Sequence, residues 1–237
     1  MAHRTLYLVR HGQYDPADQS NPLGAGLSAV GREQAIRTAE LLAQVPVTAI
    51  YSSRLTRAVE TAREIAARQN AARQNDARQT GVKIIELEHL KEISPPLPYL
   101  ALKLMKDAPV RKIARNLKHI DRVYRQLFKP AGQQDEYEVV VCHGNVIRYF
   151  ACRVLQVPPS TWMSMEIYNA SITSVEIDRY GNSILLSYNE TGHLSENLKT
   201  ENLTPMGAGF KYQLPPPTDV PGKPDAAARK RRTKKPE

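Results

Sequence analysis

The sequence predicts an α/β protein, a three-layer α/β/α sandwich around a mostly parallel central sheet. Two observations favour this class. Short apolar segments with strand character alternate along the chain with longer segments of helical character. The first short segment, residues 6–9, is apolar at every position, which is typical of a strand covered on both faces in a parallel sheet.

The predicted elements follow one another in regular alternation. Strands are expected at residues 5–9, 47–51, 82–87, 137–142, 171–177 and 183–188. Helices are expected at residues 29–44, 54–69, 98–106, 110–128 and 145–155. Ser28 is a suitable N-cap for the first helix. The Ala-Arg-Gln repeat at residues 66–79 has a five-residue period, which fits neither a helix nor a strand, so we expect a helix extension that becomes a solvated loop.

The end of the chain differs in composition from the rest. Beyond about Asn197, prolines become frequent and aliphatic side chains scarce, and the chain ends in a basic cluster at residues 229–235. We therefore expect one folded domain at residues 1–196 and a disordered tail at residues 197–237. The basic cluster allows weak contact with polyanions such as nucleic acid or acidic lipid, although a solubilising role is the simpler interpretation.

Composition also bears on location. No apolar run approaches the roughly 20 residues that a membrane span needs, and the N-terminus lacks the apolar core of a signal peptide. Cys142 and Cys152 lie at a predicted strand end and in the next helix, positions that suit a disulfide poorly, so reduced thiols are expected. These observations predict a cytoplasmic protein without an integral membrane segment. The oligomeric state stays open, and an oligomer is compatible with the sequence.

The predicted first strand ends in Arg10, His11 and Gly12. Ligands of open α/β sheets collect at the carboxyl ends of such strands. A neutral histidine is a nucleophile near pH 7, and the fork of an arginine matches phosphate oxygens. Gly12 lets the backbone approach an anion closely. The tripeptide taken alone is equally compatible with an ordinary polar strand end.

Two further segments extend this pattern. Residues 137–142 form another apolar strand, which ends in a His-Gly pair at His143 and precedes helix-like sequence. Between the two histidines, the strand at residues 47–51 leads into a helix whose first turn carries Arg54 and Arg57. A helix N-terminus presents unpaired N–H groups and a partial positive charge, so arginines there add to an anion site.

Four strings, in this order, resemble the motifs of the histidine phosphatase superfamily, which has the phosphoglycerate mutase-like fold. They are Leu-Val-Arg10-His11-Gly12, Ser-Ser-Arg-Leu-Thr-Arg57-Ala, Leu90-Lys-Glu92 and Val-Cys-His143-Gly-Asn-Val-Ile-Arg-Tyr149. The resemblance covers about residues 4–192. Within the superfamily the likeness is greatest to the mitochondrial phosphoglycerate mutase-like serine/threonine protein phosphatases. It is carried by Arg-His-Gly-Gln-Tyr14, Cys-Arg-Val-Leu-Gln-Val-Pro-Pro159 and Asn169-Ala-Ser-Ile-Thr173.

The resemblance implies a metal-independent phosphomonoester hydrolase that forms a phosphohistidine on His11 and acts on protein phosphoserine or phosphothreonine. Arg10, Arg57 and a protonated His143 are expected to hold the phosphoryl oxygens. Gln13 or a nearby backbone N–H is expected to add a donor. No cofactor and no metal ion are implied, and the partner is the phosphorylated substrate.

Glu92 matches the acidic position of the superfamily. The resemblance makes it the general acid that protonates the leaving oxygen and then the general base that activates water. Glu88 is the alternative carboxylate on the same segment. Between the two, the resemblance favours Glu92.

Other functions stay open at the level of sequence. A sugar or metabolite phosphate could replace the phosphoprotein, because no motif decodes residues 14–27 and 93–130, which are expected to shape the pocket. A phosphoglycerate mutase is disfavoured, since residues 13–21 lack the Glu and the Trp-Asn-rich stretch of the mutases that the chain resembles. A non-catalytic adaptor is disfavoured by the four intact motifs. A cysteine phosphatase built on Cys142 and Arg148 would leave the Arg-His strand end without a role.

Overall fold

The computed structural model of the protein describes residues 2–18, 20–73, 81–93 and 110–200. The helix predicted at residues 98–106 lies outside the described residues, and so does the predicted tail after residue 200.

A six-stranded sheet forms the centre of the domain. Its strands are β1 (Arg4–Arg10), β2 (Ala49–Ser53), β3 (Ile84–Leu87), β4 (Glu136–Cys142), β5 (Ile172–Ile177) and β6 (Ser183–Glu190). They lie in the order β3-β2-β4-β1-β5-β6. The strands β1 to β4 are mutually parallel, whereas β5 is antiparallel to β1 and β6 is antiparallel to β5. The sheet is therefore mostly parallel, as predicted.

Helices cover both faces of this sheet. They are α1 (Ala29–Leu42), α2 (Thr56–Arg73), α3 (Val110–Leu127) and α4 (Gly144–Val154). Apolar side chains of α1 and α2 pack with Val9, Val139 and Val141 on one face. Those of α3 and α4 pack with Leu6 and Leu8 on the other. The alternation of β1 residues between two separate cores confirms the predicted three-layer sandwich.

The junction between β2 and α2 departs from the prediction. The strand was expected at residues 47–51 but runs to Ser53, and the helix begins at Thr56 instead of residue 54. Arg54 therefore precedes the helix and is exposed, where it pairs with Glu88. The shift matters because it places Ser53 at the carboxyl end of a buried strand.

The Ala-Arg-Gln repeat begins as helix. The helix α2 continues to Arg73, and its Gln69 side chain donates hydrogen bonds to the carbonyl oxygens of Leu42 and Val45. Arg73 donates to the carbonyl oxygen of Val47. These bonds fasten the connection between α1 and β2. The remaining repeat residues, 74–80, lie outside the described part of the chain.

The described structure extends past the predicted domain boundary at residue 196. A 3-10 turn covers Glu196–Leu198, and the Gln34 side chain on α1 donates to the Leu198 carbonyl oxygen at 2.6 Å and to the Thr200 hydroxyl at 2.7 Å. Residues 197–200 thus contact the domain through a buried amide. Among the helices in the described ranges, none combines the length and the apolar character that crossing a bilayer requires.

Candidate active site

The predicted site residues come together because their strands are neighbours. In the sheet, β4 lies between β2 and β1, and Arg10 on β1 is paired in register with Cys142 on β4. The residues that follow these two positions, His11 and His143, therefore meet at the same edge. Their ring centroids are 5.0 Å apart.

His11 is held in one tautomer. Its Nδ1 atom lies 2.8 Å from the Gly12 carbonyl oxygen, which only accepts hydrogen bonds, so Nδ1 carries the proton. The Nε2 atom is left with its lone pair, and Arg57 Nε donates to it at 3.1 Å. Burial lowers the pKa of His11 well below its ordinary value of 6.5, and His143 and Arg57 lower it further. At neutral pH this side chain is therefore an uncharged nucleophile.

Backbone contacts fix the segment that carries this nucleophile. Gly12 N–H donates to the Thr61 hydroxyl at 3.1 Å, and the Asn169 side chain donates to the His11 carbonyl oxygen at 3.1 Å. A Cβ atom on Gly12 would collide with the Gly31 carbonyl group, and one on Gly31 would collide with the Gln13 carbonyl group. Two backbones touch here without intervening side chains.

Two guanidinium groups face the histidine. Arg57 is the second residue of α2, and its guanidinium carbon lies 4.3 Å above the centroid of the Tyr14 ring. Arg10 donates to the Ile167 carbonyl oxygen, while its Nε atom has no hydrogen-bond partner among the described residues. Burial lowers the pKa of Arg10 to about 10, against the effect of Glu92, so the group stays charged at pH 7.

His143 lies at the start of α4, beside the carboxyl end of β2. It is the N-cap residue of α4, its Nε2 atom lies 2.8 Å from the Ser53 hydroxyl, and its buried Nδ1 atom has no partner in the described structure. Burial lowers the pKa of His143 well below 6.5, and Arg57 and Arg10 lower it further. Without a bound anion the ring is neutral, and a protonated His143 in the presence of a phosphoryl group stays a prediction.

Glu92 has the environment of a general acid. The surrounding protein raises the pKa of its carboxyl group, although Arg10 and Arg57 act in the opposite direction. The side chain is exposed to solvent at its edge of the site, and it accepts a hydrogen bond from Ile93 N–H at 3.1 Å. Its proximity to both arginines places the carboxyl group beside the predicted phosphate position.

The alternative carboxylate, Glu88, is occupied elsewhere. It is exposed and forms an ion pair of 2.7 Å with Arg54. A hydrogen bond from Arg54 lowers the pKa of Glu88, so this carboxylate is charged at neutral pH. The two candidates are thus separated by their environments, and the geometry favours Glu92.

Asn145 connects the Glu92 segment to α4. Its backbone N–H donates to the Glu92 carboxylate, and its side chain donates to the Ile93 carbonyl oxygen at 3.2 Å. The side-chain oxygen accepts a hydrogen bond from Arg148 at 3.1 Å. Asn145 therefore forms hydrogen bonds with the Glu92 carboxylate, with the backbone of the next residue and with Arg148.

Gln13 lies beside the site, but its side-chain oxygen forms a hydrogen bond with a residue outside the site. The Oε1 atom accepts a hydrogen bond from the Ser28 hydroxyl at 2.8 Å, and Ser28 in turn caps α1 by accepting from Gly31 N–H at 3.0 Å. The backbone N–H of Gln13 donates to Gln34. Gln13 thus joins the nucleophile segment to the start of α1, and its role as a phosphate donor stays a prediction.

Cys142 does not form a second nucleophilic site. Its side chain is fully buried in the core beneath α4, and burial raises the pKa of the thiol. A protonated thiol that solvent does not reach cannot attack a phosphate. Both cysteines are free, as expected.

Several residues that shape the site were missed at the sequence level. They are Ser53, Thr61, Asn145 and Asn169, which contact His143, Gly12, Ile93 and the His11 carbonyl group respectively. Ser53 was assigned to the turn after β2, and Asn169 was read only as part of a motif. Had β2 been predicted to end at Ser53, that residue would have been recognised as lying at the edge of the sheet where ligands bind.

A family model described as the histidine phosphatase superfamily (branch 1) matches residues 6–190. The chain belongs to this superfamily. The resemblance noted in the sequence is therefore confirmed, and the four motifs lie where that family match runs.

Individual relatives of this histidine phosphatase agree with the family match. The mitochondrial serine/threonine-protein phosphatase Pgam5 of Caenorhabditis briggsae is 34% identical over 215 residues, which cover 83% of this chain and 66% of the relative. The human protein of the same name is 32% identical over 198 residues, covering 81% of this chain and 64% of the relative. The chain thus spans slightly less than two thirds of the length of these curated relatives.

Among solved structures, a phosphoglycerate mutase from Plasmodium falciparum superposes with a TM-score of 0.52 at 29% identity, over 82% of this chain and 94% of that one. This match agrees with the predicted fold. The predicted cytoplasmic location is wrong, because the curated relatives are named as mitochondrial proteins. The sequence argument rested on missing membrane and secretion signals, and neither excludes an organelle.

Proposed function

We propose that this histidine phosphatase hydrolyses phosphomonoesters through a phosphohistidine on His11, without a metal ion, and that its substrates are phosphoserine and phosphothreonine residues of proteins. One observation carries the chemistry. The Nε2 lone pair of a neutral His11 faces the guanidinium group of Arg57, and Arg10 lies close by. Neither arginine forms an ion pair with a carboxylate in the described part of the chain, so both charges are available to an anion.

In the first half-reaction, His11 Nε2 attacks phosphorus in line with the leaving oxygen. The phosphorus–oxygen bond breaks as the phosphorus–nitrogen bond forms, and Glu92 gives its proton to the leaving oxygen. Arg10 and Arg57 bind the phosphoryl oxygens, whose charge spreads in the transition state. A phosphate dianion also favours protonation of His143, which then becomes a further donor.

In the second half-reaction, water attacks the phosphohistidine. Glu92 is now a carboxylate, and it takes a proton from that water while phosphorus is transferred to the water oxygen. His11 Nε2 recovers its lone pair, and inorganic phosphate leaves. The raised pKa of Glu92 favours the proton donor that the first half-reaction needs.

The substrate class rests on the relatives. Those that match most of this chain are named serine/threonine-protein phosphatases. A small phosphate ester is the second candidate, since the matching Plasmodium falciparum structure is a phosphoglycerate mutase. Turnover measured on phosphopeptides and on a panel of metabolite phosphates, including 3-phosphoglycerate, separates the two candidates.

The intermediate is tested by rapid quench. We expect acid-labile phosphate on His11 during turnover of an aryl phosphate, and none in His11→Ala, which should be inactive. We expect vanadate to inhibit and a metal chelator to leave the rate unchanged. Label on another residue, or inhibition by the chelator that a divalent metal reverses, would contradict the proposal.

Two further assignments belong to this proposal. The names of the relatives support a mitochondrial location, which microscopy of the full-length protein in its own cells would test. The basic cluster at residues 229–235 is proposed to contact polyanions only weakly. Binding to nucleic acid or acidic vesicles that survives physiological salt would contradict that assignment.

A further inference from the structure

The solvent-facing side of α3 carries a row of five cations, which we call the basic row. Its members are Arg111, Arg115, Lys118, Arg122 and Arg125, spaced by four, three, four and three residues. This spacing keeps them on one face of a helix, and all five are exposed. The opposite face packs in the core through Ile120, Val123 and Leu127.

The basic row is not neutralised by its own helix. Within the described ranges, none of its five members forms an ion pair. The one acidic residue of α3, Asp121, accepts hydrogen bonds from Tyr149 and Arg153 instead. Like charges spaced in this way repel each other, so the row destabilises the isolated helix.

The helix α1 shows the contrasting arrangement. There Arg37 lies between Glu33, at 2.7 Å, and Glu40, at 3.2 Å. Such alternation of sign is the usual way in which an exposed helix face is solvated. The basic row therefore differs from an ordinary polar face of this same domain.

The middle of the basic row lies against the segment that carries Glu92. The ring of His119 on α3 stacks on the ring of His89 with centroids 4.4 Å apart. The pKa of His119 is lowered by partial burial, then by His89 and the charges of Arg122, Arg115 and Lys91, so these groups are near neighbours. Glu92 follows His89 by three residues, a chain length of at most about 11 Å.

The chain length between His89 and Glu92 is comparable with the reach of a peptide substrate. In an extended peptide, residues two to four positions from the phosphoresidue lie about 7–13 Å away from it. We therefore expect side chains that flank a phosphoserine bound at His11 to reach the middle of the basic row, which lies beside His89. An acidic side chain there would meet unpaired cations, whereas a basic one would be repelled.

We propose that the basic row binds an acidic segment next to the phosphoresidue of the protein substrate, so that this phosphatase favours phosphosites with acidic flanks. The inference rests on the proposed protein phosphatase activity. The row acts through charge at a distance from the chemistry, so it should raise kcat/KM for acidic peptides and leave turnover of a small aryl phosphate unchanged.

The test compares three phosphoserine peptides whose flanks are Glu-rich, neutral or Lys-rich. For the intact enzyme we expect kcat/KM to fall in that order, with the advantage of the acidic peptide shrinking as salt rises. In the double variant Arg115→Glu with Arg122→Glu, we expect the acidic peptide to lose about tenfold or more. The uncharged pair Arg115→Gln with Arg122→Gln should give an intermediate loss.

Two controls accompany these variants. Arg63→Glu with Lys83→Glu changes the net charge equally at exposed positions outside the row, and it should keep the preference for the acidic peptide. The aryl phosphate rate and the melting temperature show that each variant is folded. An equal effect of the two double variants would overturn the proposal.

Binding to His11→Ala, measured by fluorescence anisotropy with the same peptides, separates this inference from the proposed chemistry. If the intact enzyme has no turnover but His11→Ala prefers the acidic peptide, the proposed function fails and the basic row stands. If peptide preference is absent while sedimentation with acidic vesicles depends on Arg115 and Arg122, the row is a membrane surface and the proposal is wrong.

Discussion

Arg57 Nε donates a hydrogen bond of 3.1 Å to the Nε2 atom of His11, the nitrogen that is proposed to attack phosphorus. When a phosphoryl group binds, its oxygens must therefore replace His11 Nε2 as the hydrogen-bond acceptor of the Arg57 guanidinium group. This exchange of partners frees the Nε2 lone pair of His11 and places the positive charge of Arg57 beside the phosphate. Arg57 thus protects the nucleophile before binding and stabilises the transition state afterwards.

This relationship predicts a large effect of Arg57→Ala. Loss of one donor of this kind typically lowers kcat by about 100- to 1,000-fold, and we expect kcat/KM for an aryl phosphate to fall at least that far. Arg57→Lys should recover part of the loss, because it keeps the charge but not the fork. Arg54→Ala is the matched control, since Arg54 is exposed and pairs with Glu88, and it should remain near the intact rate. Similar losses in both alanine variants would contradict this assignment.

Glu92→Gln tests the general acid. Protonation matters most for a poor leaving group, so the rate on a serine-type alkyl phosphate should fall by about 100- to 10,000-fold. The first half-reaction with a nitrophenyl phosphate, followed as a burst of nitrophenol, should be much less affected. Glu88→Gln serves as the control and should leave both rates nearly unchanged. A loss that is independent of the leaving group would remove Glu92 from this role.

Asn145 is expected to position Glu92 without contacting substrate. Asn145→Ala removes the side-chain bonds to the Ile93 carbonyl group and to Arg148. We expect kcat to fall with KM little changed. Asn145→Asp adds a negative charge near Glu92, which should raise the pKa of that carboxyl group and move the basic limb of the kcat/KM profile to higher pH. A pH profile that is identical in all three proteins would show a merely structural role.

The buried histidines predict a pH dependence of stability. The pKa of His143 lies well below 6.5 in the folded protein and near 6.5 when the chain unfolds, so below that pH the unfolded state binds more protons. Stability should therefore fall as pH drops from 7 to 5, by up to about 1.4 kcal/mol per pH unit for each such group. His143→Asn should make the fall of the melting temperature across this range shallower, while His11 keeps its own contribution. An unchanged slope would mean that His143 already titrates normally.

The contacts of Thr200 predict where truncation becomes harmful. Its carbonyl oxygen accepts from Asn169 N–H at 3.0 Å, and the Asn169 side chain holds the His11 carbonyl group. Deleting residues 203–237 should leave the melting temperature and the aryl phosphatase rate nearly unchanged. Deleting residues 197–237 removes the Thr200 contacts and should lower the melting temperature by several degrees, at about 2–4 °C per kcal/mol for a domain of this size. Equal melting temperatures and equal rates of the two truncated proteins would show that the folded domain ends at residue 196.

The sequence predicted most of the fold because its signals are local. Apolar runs gave the six strands, and the Arg-His and His-Gly pairs located the edge at which ligands bind. The end of β2 was misplaced by two residues, since a serine pair reads equally well as a strand end or a turn. Contacts such as those of Asn145 and Asn169 join residues far apart in the chain, so no local pattern reveals them.

The protonation state of His143 shows a second limit of sequence. A motif supplies the residue type, but the charge depends on how many cations the fold gathers around a buried ring. Arg10 and Arg57 come from different elements, and only the folded domain brings both close to His143.

The contact between Gly12 and Gly31 has a consequence for how this enzyme can change. Each position lacks room for a methyl group because backbone atoms fill the space where that group would stand. Replacing one glycine does not relieve the crowding at the other, so the two glycines cannot be replaced one after the other without a backbone clash at each step. New specificities of this scaffold must therefore arise in the loops and helix faces around the nucleophile, while the distance between β1 and α1 stays fixed.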